Sequence, residues 1–83
     1  MRTAYMVCYD IRDEKRLRRV FRIVNGYGDA VQYSVFFCEL SAKEYAEMAD
    51  ALNAVIHHTE DQVLFVPLGP ARDGRILSQL FTL

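Results

Sequence analysis

The sequence predicts an α+β fold with six elements in the order βαββαβ. Two segments have the 3.6-residue apolar period of amphipathic helices, at residues 13–25 and 41–58. Short apolar runs rich in Tyr, Val and Phe surround them, and these runs have the length and composition of strands. Glycine and polar residues separate the segments. We therefore expect one small antiparallel sheet covered by two helices.

The first strand is predicted over residues 3–10, TAYMVCYD. Alternate residues of a strand point to opposite faces, so Ala4, Met6 and Cys8 share one face and the tyrosines and Val7 share the other. Both faces are apolar. We expect both to be covered, because an apolar strand face is normally buried.

The first helix is predicted over residues 13–25, with Asp13 as its N-cap and Gly26 as a left-handed C-terminal residue. Its apolar stripe is predicted at four positions: Leu17, Val20, Phe21 and Val24. The opposite arc is basic. It comprises Lys15, Arg18, Arg19 and Arg22, with Arg16 at its edge.

The segment 30–40, AVQYSVFFCEL, is rich in strand-forming residues but long for one strand. The polar break at Gln32 to Ser34 predicts either two short strands or one strand with a bulge. Its second part, SVFFCEL, is again apolar on both faces.

The second helix is predicted over residues 41–58, beginning with a capping box between Ser41 and Glu44. A further strand follows at residues 62–68, and Pro67 places it at an edge or a strand end. Residues 69–74 are predicted to form a turn or short linker. Residues 75–83 form an apolar tail that is a candidate final strand.

This order is that of a ferredoxin-like sandwich, in which both helices cover one face of the sheet. We predict a single domain over residues 1–83, with the core at 1–68 and an interface tail at 69–83. The uncovered face would expose apolar side chains, which usually marks an interface. A two-fold homodimer, sheet against sheet, is the expected solution, and the tail is expected to extend the partner's sheet.

The two cysteines, Cys8 and Cys38, lie in apolar runs without CxxC spacing, which favours reduced core cysteines. His57 and His58 are adjacent, a spacing that does not gather zinc ligands. The start of the chain does not resemble a signal peptide, and no apolar run is long enough to span a membrane. We expect a soluble, cytoplasmic protein.

The charge of the chain is uneven although its net value is only −1. Residues 1–40 carry seven basic and five acidic side chains, whereas residues 41–83 carry three basic and six acidic ones. The positive charge is concentrated on the first helix, where it would attract a phosphate backbone.

Asp10 ends the first apolar strand directly before this basic helix. In a two-fold dimer it would face its own copy, and two carboxylates about 4 Å apart repel by about 4 kcal/mol at an effective dielectric near 20. A shared Mg²⁺ or Mn²⁺ ion would relieve this repulsion and could support hydrolysis of a phosphodiester. The alternative is an ordinary strand-terminal carboxylate beside a solvated basic helix face.

At these residues the chain resembles the small CRISPR-associated adaptation endonucleases, the Cas-two family. The resemblance rests on YD at the end of the first strand, the basic KRLRRV segment, GYG and VQYSVFFCEL, and it covers residues 3–68. It implies a ferredoxin-like homodimer with metal-dependent endonuclease activity on RNA or DNA. It also implies a place beside the adaptation integrase in spacer acquisition.

The resemblance assigns roles to particular positions. Asp10 matches the metal-binding and catalytic aspartate, and Arg16 and Arg18 match basic helix positions. Ser34 and Phe36 match the SVF strand. The basic arc of the first helix adds Lys15, Arg19 and Arg22 as candidate nucleic-acid-binding residues, and Tyr9 and Asp13 are candidate supporting residues.

Two positions depart from the family pattern. Ala30 stands where many members carry a basic residue, and Phe37 stands where an acid or glycine often follows SVF. Both changes leave open a scaffold that binds DNA without cleaving it. A toxin ribonuclease of the virulence-associated protein D type would share this fold and size. An RNA-recognition module would need its aromatic signature run, which the sequence lacks.

Overall fold

A computed structural model describes residues 1–71, and the predicted order βαββαβ is confirmed there. The six elements are β1 (Thr3–Asp10), α1 (Glu14–Asn25), β2 (Gly28–Gln32), β3 (Val35–Leu40), α2 (Ala42–Asn53) and β4 (Gln62–Pro70). The predicted tail at 75–83 lies outside the described residues. Neither helix within residues 1–71 is long and apolar enough to cross a membrane.

The four strands form one antiparallel sheet in the order β2-β3-β1-β4. The central strands are therefore β1 and β3, whose sequences are apolar on both faces. Among the strands of residues 1–71, β4 pairs with β1 and with no other, so the edge position of Pro67 is confirmed there. The predicted turn at 69–74 is wrong at its start. Gly69 and Pro70 extend β4, and Gly69 adopts a φ of 122° that only glycine takes readily.

Both helices pack on one face of the sheet, as predicted. Val7 and Tyr9 of β1 and Phe36 of β3 point toward them. Val20 and Val24 of α1 are fully buried in the same core. The core is completed by Cys38, Leu40, Met48 and Leu52. Cys8 and Cys38 are free, and the strand alternation puts them on opposite faces of the sheet.

The buried stripe of α1 is rotated from its predicted position. Phe21 was predicted to be buried, but its side chain is 46% exposed. Arg16, predicted at the edge of the basic arc, is instead partly buried. The rotation turns Ile23 and Arg16 toward the body of the protein and leaves Phe21 at the rim of the helix.

Two glycines bound the connection from α1 to β2. The left-handed conformation predicted for Gly26 is wrong: its φ is −74°, and its N–H donates to the carbonyls of Arg22 and Ile23. Gly28 is constrained by space instead. A Cβ there would overlap the Phe37 carbonyl oxygen and the Cys38 sulfur, so β2 can pair with β3 this closely only with glycine.

The polar break in residues 30–40 is a two-residue turn between β2 and β3, which confirms the prediction of two strands. The alternative of one strand with a bulge is therefore wrong, although the pairing of β2 with β3 has a register shift between Ala30 and Gln32. Ser34, matched above to a strand, lies in this turn with a left-handed φ of 62°. The strand begins one residue later, at Val35.

The capping box of α2 is confirmed, with the Ser41 hydroxyl accepting from the Glu44 N–H and the Glu44 carboxylate accepting from the Ser41 N–H. The helix ends at Asn53, five residues before the predicted end. Val55 and Ile56 still pack against the core from the turn that follows. That turn is stabilised by the Asp61 side chain, which accepts from the His57 N–H.

Within residues 1–71, the other face of the sheet is apolar and carries no helix. We call it the open face. The strand alternation places on it Met6 and Cys8 of β1, Val35 and Phe37 of β3, and Leu64 and Val66 of β4, and of these Phe37 is buried. Leu64 and Val66 are 49% and 44% exposed. The open face is thus the surplus apolar surface that the composition predicts.

Candidate nucleic-acid and metal site

Asp10 is the last residue of β1, a central strand of the sheet. It lies opposite Gln62 of β4, and its alternation with Cys8 puts its side chain on the open face. It is exposed. A shallow cleft of about 130 Å³ surrounds it, lined also by Cys8, Tyr9, Gln62 and Leu64. The carboxylate therefore stands at one end of the apolar open face.

The donor chemistry at Asp10 suits a hard divalent cation, but one chain offers too few donors. Within residues 1–71, no three His, Cys, Asp or Glu side chains come together in a way that could hold a metal ion. The cleft contributes one carboxylate and, across the strand pair, the Gln62 amide. Oxygen ligands of this kind fit Mg²⁺ or Mn²⁺. A complete site would need the Asp10 of a second copy.

Asp61, which the sequence analysis did not single out, holds the segment just after Asp10. Its Oδ1 accepts from the Arg12 backbone N–H at 2.9 Å, and its Oδ2 accepts from the His57 backbone N–H at 2.8 Å. Its side chain is fully buried. One carboxylate thus joins the β1–α1 connection to the turn before β4, at the end of the sheet where Asp10 stands.

Arg16 completes this cluster rather than facing solvent freely. Its Nε donates to Asp61 Oδ2 at 2.8 Å, and its Nη2 donates to Glu60 Oε1 at 2.9 Å. The Arg16 guanidinium holds the pKa of the Asp61 carboxyl well below its usual range, and the two backbone N–H groups act in the same direction. The charge of Arg16 is therefore largely neutralised within the chain. A contact with nucleic acid remains a prediction.

The other basic residues of α1 are exposed, but they are not equivalent. Arg18 pairs with Glu14 one turn earlier, at 3.5 Å. Among the described residues, Lys15, Arg19 and Arg22 form no ion pair. We call these three the outer basic face. It points away from the sheet, whereas Asp10 lies on the sheet's other side. Asp10 and the outer basic face are therefore less close in space than their neighbouring positions in the sequence suggest.

The supporting residues shape the same end of the molecule. Tyr9 is 8% exposed and stacks on Phe36, with ring centroids 6.2 Å apart. Burial raises the pKa of the Tyr9 phenol, and the Ser34 side chain partly offsets that effect. Asp13 caps α1, its carboxylate accepting from the Arg16 N–H at 3.0 Å. All four predicted supporting residues therefore have structural contacts, and Ser34 does so from a turn.

Asp61 and Gln62 were missed because their partners are distant in sequence. Arg12 and Arg16 precede Asp61 by 49 and 45 residues. The only local signal is the polar stretch HHTED directly before an apolar strand. That stretch shows a turn, but it does not show which backbone groups the acid will bind.

The fold and the strand-end carboxylate define a small ferredoxin-like protein with one apolar sheet face that neither helix of residues 1–71 covers. A family model described as CRISPR associated protein Cas2 matches residues 2–76. The chain belongs to that family.

Similar proteins agree with this assignment. The chain is 42% identical over 73 residues to a protein of Geobacter sulfurreducens named CRISPR-associated endoribonuclease Cas2, covering 88% of this chain and 77% of the relative. It is 49% identical over 70 residues to CRISPR-associated endoribonuclease Cas2 1 of Rhodospirillum rubrum, covering 84% and 69%.

Solved structures share the fold. The crystal structure of Streptococcus pyogenes Cas2 at pH 6.5 matches with a TM-score of 0.76 and 28% identity, covering 96% of this chain and 98% of that one. A hypothetical protein TT1823 from Thermus thermophilus matches with a TM-score of 0.81 and 25% identity, covering 88% and 89%. The ferredoxin-like fold predicted from the sequence is therefore confirmed.

Proposed function

We propose that this protein is a homodimeric CRISPR adaptation protein that binds nucleic acid and hydrolyses phosphodiester bonds with a divalent cation. Its place is spacer acquisition beside the adaptation integrase. The observation that carries the proposal is Asp10, an exposed carboxylate at the end of a central strand, on an uncovered apolar face. Relatives named endoribonucleases make RNA the first substrate to test.

The open face supplies the reason for two copies. Its exposed leucine and valine side chains would be covered by a second open face, and the hydrophobic gain is about 25 cal/mol for each Å² buried. A two-fold axis through that contact near the end of β1 would bring the two Asp10 carboxylates together. Their mutual repulsion would then favour a divalent cation between them.

The chain's own residues would act on the cation and on the backbone of the substrate. Asp10 would hold Mg²⁺ or Mn²⁺, and the Gln62 amide lies across the strand pair where it can orient a water or a phosphate oxygen. Asp61 fixes the connection that follows Asp10 through the Arg12 N–H. The cation, when bound, supplies Lewis-acid stabilisation of the phosphate and a more acidic water.

The catalytic assignment is tested by Asp10→Asn, which removes the charge and keeps the shape. We expect loss of Mg²⁺- or Mn²⁺-dependent cleavage of end-labelled single-stranded RNA and DNA, with an unchanged circular dichroism spectrum. Asp50→Asn, at an exposed position of α2, is the matched control and should cleave like the wild type. Undiminished cleavage by Asp10→Asn would show that this carboxylate is not catalytic.

A scaffold without catalysis is the second candidate, and the outer basic face favours it. Lys15, Arg19 and Arg22 are exposed, have no carboxylate partner within residues 1–71, and point away from the Asp10 cleft. A dimer would present this face twice. Such a face can hold a duplex backbone whether or not the cleft cleaves, because phosphate contacts need only charge and position.

A further inference from the structure

A cavity of the described chain lies between α1 and the β2–β3 turn, on the helix side of the sheet. Its volume is about 440 Å³, within the range of about 300–1,000 Å³ typical of small-ligand pockets. The cavity is lined by Tyr9, Leu17, Arg18, Phe21, Ala30, Gln32, Tyr33, Ser34 and Phe36. The roles assigned above to Asp10 and to the outer basic face do not use it.

The walls of this cavity are aromatic to an unusual degree for an exposed surface. Phe21 and Tyr33 are 46% and 84% exposed, although both are large apolar side chains. Phe21 meets Phe36 edge to face, with centroids 5.9 Å apart, and Phe36 stacks on Tyr9. A flat π-system entering here would find ring faces on the side of α1 and on the side of the turn.

The rim carries polar and cationic groups. Arg18 lines the cavity from α1, and Arg22 lies one helical turn further along the same side. Gln32 at the end of β2 and Ser34 in the turn also line it, and they offer an amide and a hydroxyl. An aromatic slot, hydrogen-bonding side chains and a cationic rim together complement a nucleotide: a flat base with polar edges, joined to an anionic phosphate.

Ala30 keeps the slot open. It stands on β2 opposite Phe36, and its small side chain lines the cavity. A long side chain there would enter the space that the cavity occupies. The methyl group of Ala30 therefore leaves an apolar opening between β2 and α1.

We propose that this cavity binds one unstacked base of a single-stranded nucleic acid, with Arg18 contacting the adjoining phosphate. This inference specifies that the bound nucleic acid is a single strand. It therefore rests on the nucleic-acid-binding function proposed above. Tyr9 lines both this cavity and the Asp10 cleft, so the base slot and the carboxylate lie on either side of one residue. A strand anchored by its base here would have its backbone held near the end of β1.

The test compares two fluorescein-labelled 12-nucleotide single strands, one intact and one with a single central abasic site, by fluorescence anisotropy on the full protein. Tyr33→Ala should weaken binding of the intact strand by about tenfold, the typical contribution of one base stacked on an aromatic side chain. It should change binding of the abasic strand far less. Tyr33→Phe keeps the ring and should bind like the wild type.

Two further variants test whether a loss of binding comes from the slot itself or from a general change in charge or folding. Ala30→Ile fills the cavity without removing any contact and should reproduce the loss seen in Tyr33→Ala. Lys43→Ala removes one exposed charge at the start of α2 and should leave the preference for the intact strand unchanged.

Equal affinity of the wild type for intact and abasic strands would overturn the proposal. So would wild-type binding by Ala30→Ile, because a filled cavity could not hold a base. Failure of the catalytic proposal is visible separately. In that case Asp10→Asn keeps its cleavage activity, while Tyr33→Ala still loses the preference for the intact strand.

Discussion

At the scale of single residues, Asp61 organises more of the site's surroundings than any residue the sequence analysis selected. It is the one charged side chain in the buried set of residues 1–71, and it accepts from two backbone N–H groups and from Arg16. A buried carboxylate is tolerated only when it is paired and hydrogen-bonded in this way. Removing it would leave three donors without a partner.

We expect Asp61→Ala to destabilise the fold by about 3 kcal/mol, the usual cost of breaking a buried ion pair from one side. Urea unfolding followed by circular dichroism measures this value. Asp50→Ala, an exposed acid on α2, should cost less than about 0.5 kcal/mol. Equal urea midpoints for Asp61→Ala and Asp50→Ala would show that the Asp61 contacts make no net contribution to the free energy of unfolding.

The same residue gives a pH dependence whose sign is fixed. The pKa of folded Asp61 lies well below its usual range, so the unfolded chain binds the proton more readily. The carboxylate therefore stabilises the fold above the ordinary aspartate pKa of about 3.9, and the benefit is lost as the pH falls below it. The stability gap between wild type and Asp61→Asn should be full at pH 7 and shrink below about pH 4. A gap independent of pH would contradict the ion pair.

At the scale of elements, the sequence predicted what depends on local chemistry. The bounds of β1, the Asp13 cap and the Ser41–Glu44 box all follow from residues within four positions of one another. The errors arise where distant residues decide. The rotation of α1 depends on Asp61 binding Arg16 across 45 residues, and Phe21 is left exposed as a result. Periodicity finds an apolar arc, but it does not show which edge of that arc meets a cavity.

The docking of β2 on β3 gives an element-scale prediction. Gly28→Ala should destabilise the protein by about 3 kcal/mol, because its Cβ would overlap the backbone of β3 and the Cys38 sulfur. Gly26→Ala is the matched control. Its φ of −74° suits alanine, so we expect a change below about 1 kcal/mol. Thermal unfolding of both variants compares them directly, and a tolerant Gly28 site would mean that β2 can shift away from β3.

The outer basic face gives a second prediction at the scale of elements. Binding of a duplex should weaken with salt at a slope of about −0.9 per neutralised phosphate on logarithmic axes. Arg19→Ala with Arg22→Ala should flatten that slope and weaken binding equally on unrelated sequences. Arg16→Ala is the contrast, since its guanidinium is held by Asp61 and Glu60 and should affect folding first. An unchanged slope in the double variant would make this face an ordinary solvated helix surface.

At the scale of the whole molecule, the open face is apolar surface that residues 1–71 of a single chain leave partly exposed. Eighty-three residues bury a modest fraction of their surface, yet this chain is 52% apolar and exposes Leu64 and Val66 on one side. Asp10 stands at the edge of the same face with too few donors to hold a cation alone. Under the function proposed above, the pairing of two copies would both cover the apolar surface and complete the cation site.

We expect the wild type to sediment as a dimer at micromolar concentration and Val66→Asp to sediment as a monomer. Val66 is 44% exposed in one chain, so the aspartate costs little there, whereas in a dimer it would be a buried unpaired charge. Ala46→Asp, on the exposed side of α2, should remain dimeric. Cation-dependent cleavage should be lost when the dimer is lost, because a monomer has only one Asp10 carboxylate to offer the cation. If Val66→Asp is a monomer and still cleaves at the wild-type rate, cleavage does not depend on the dimer. The chemistry would then belong to a single chain.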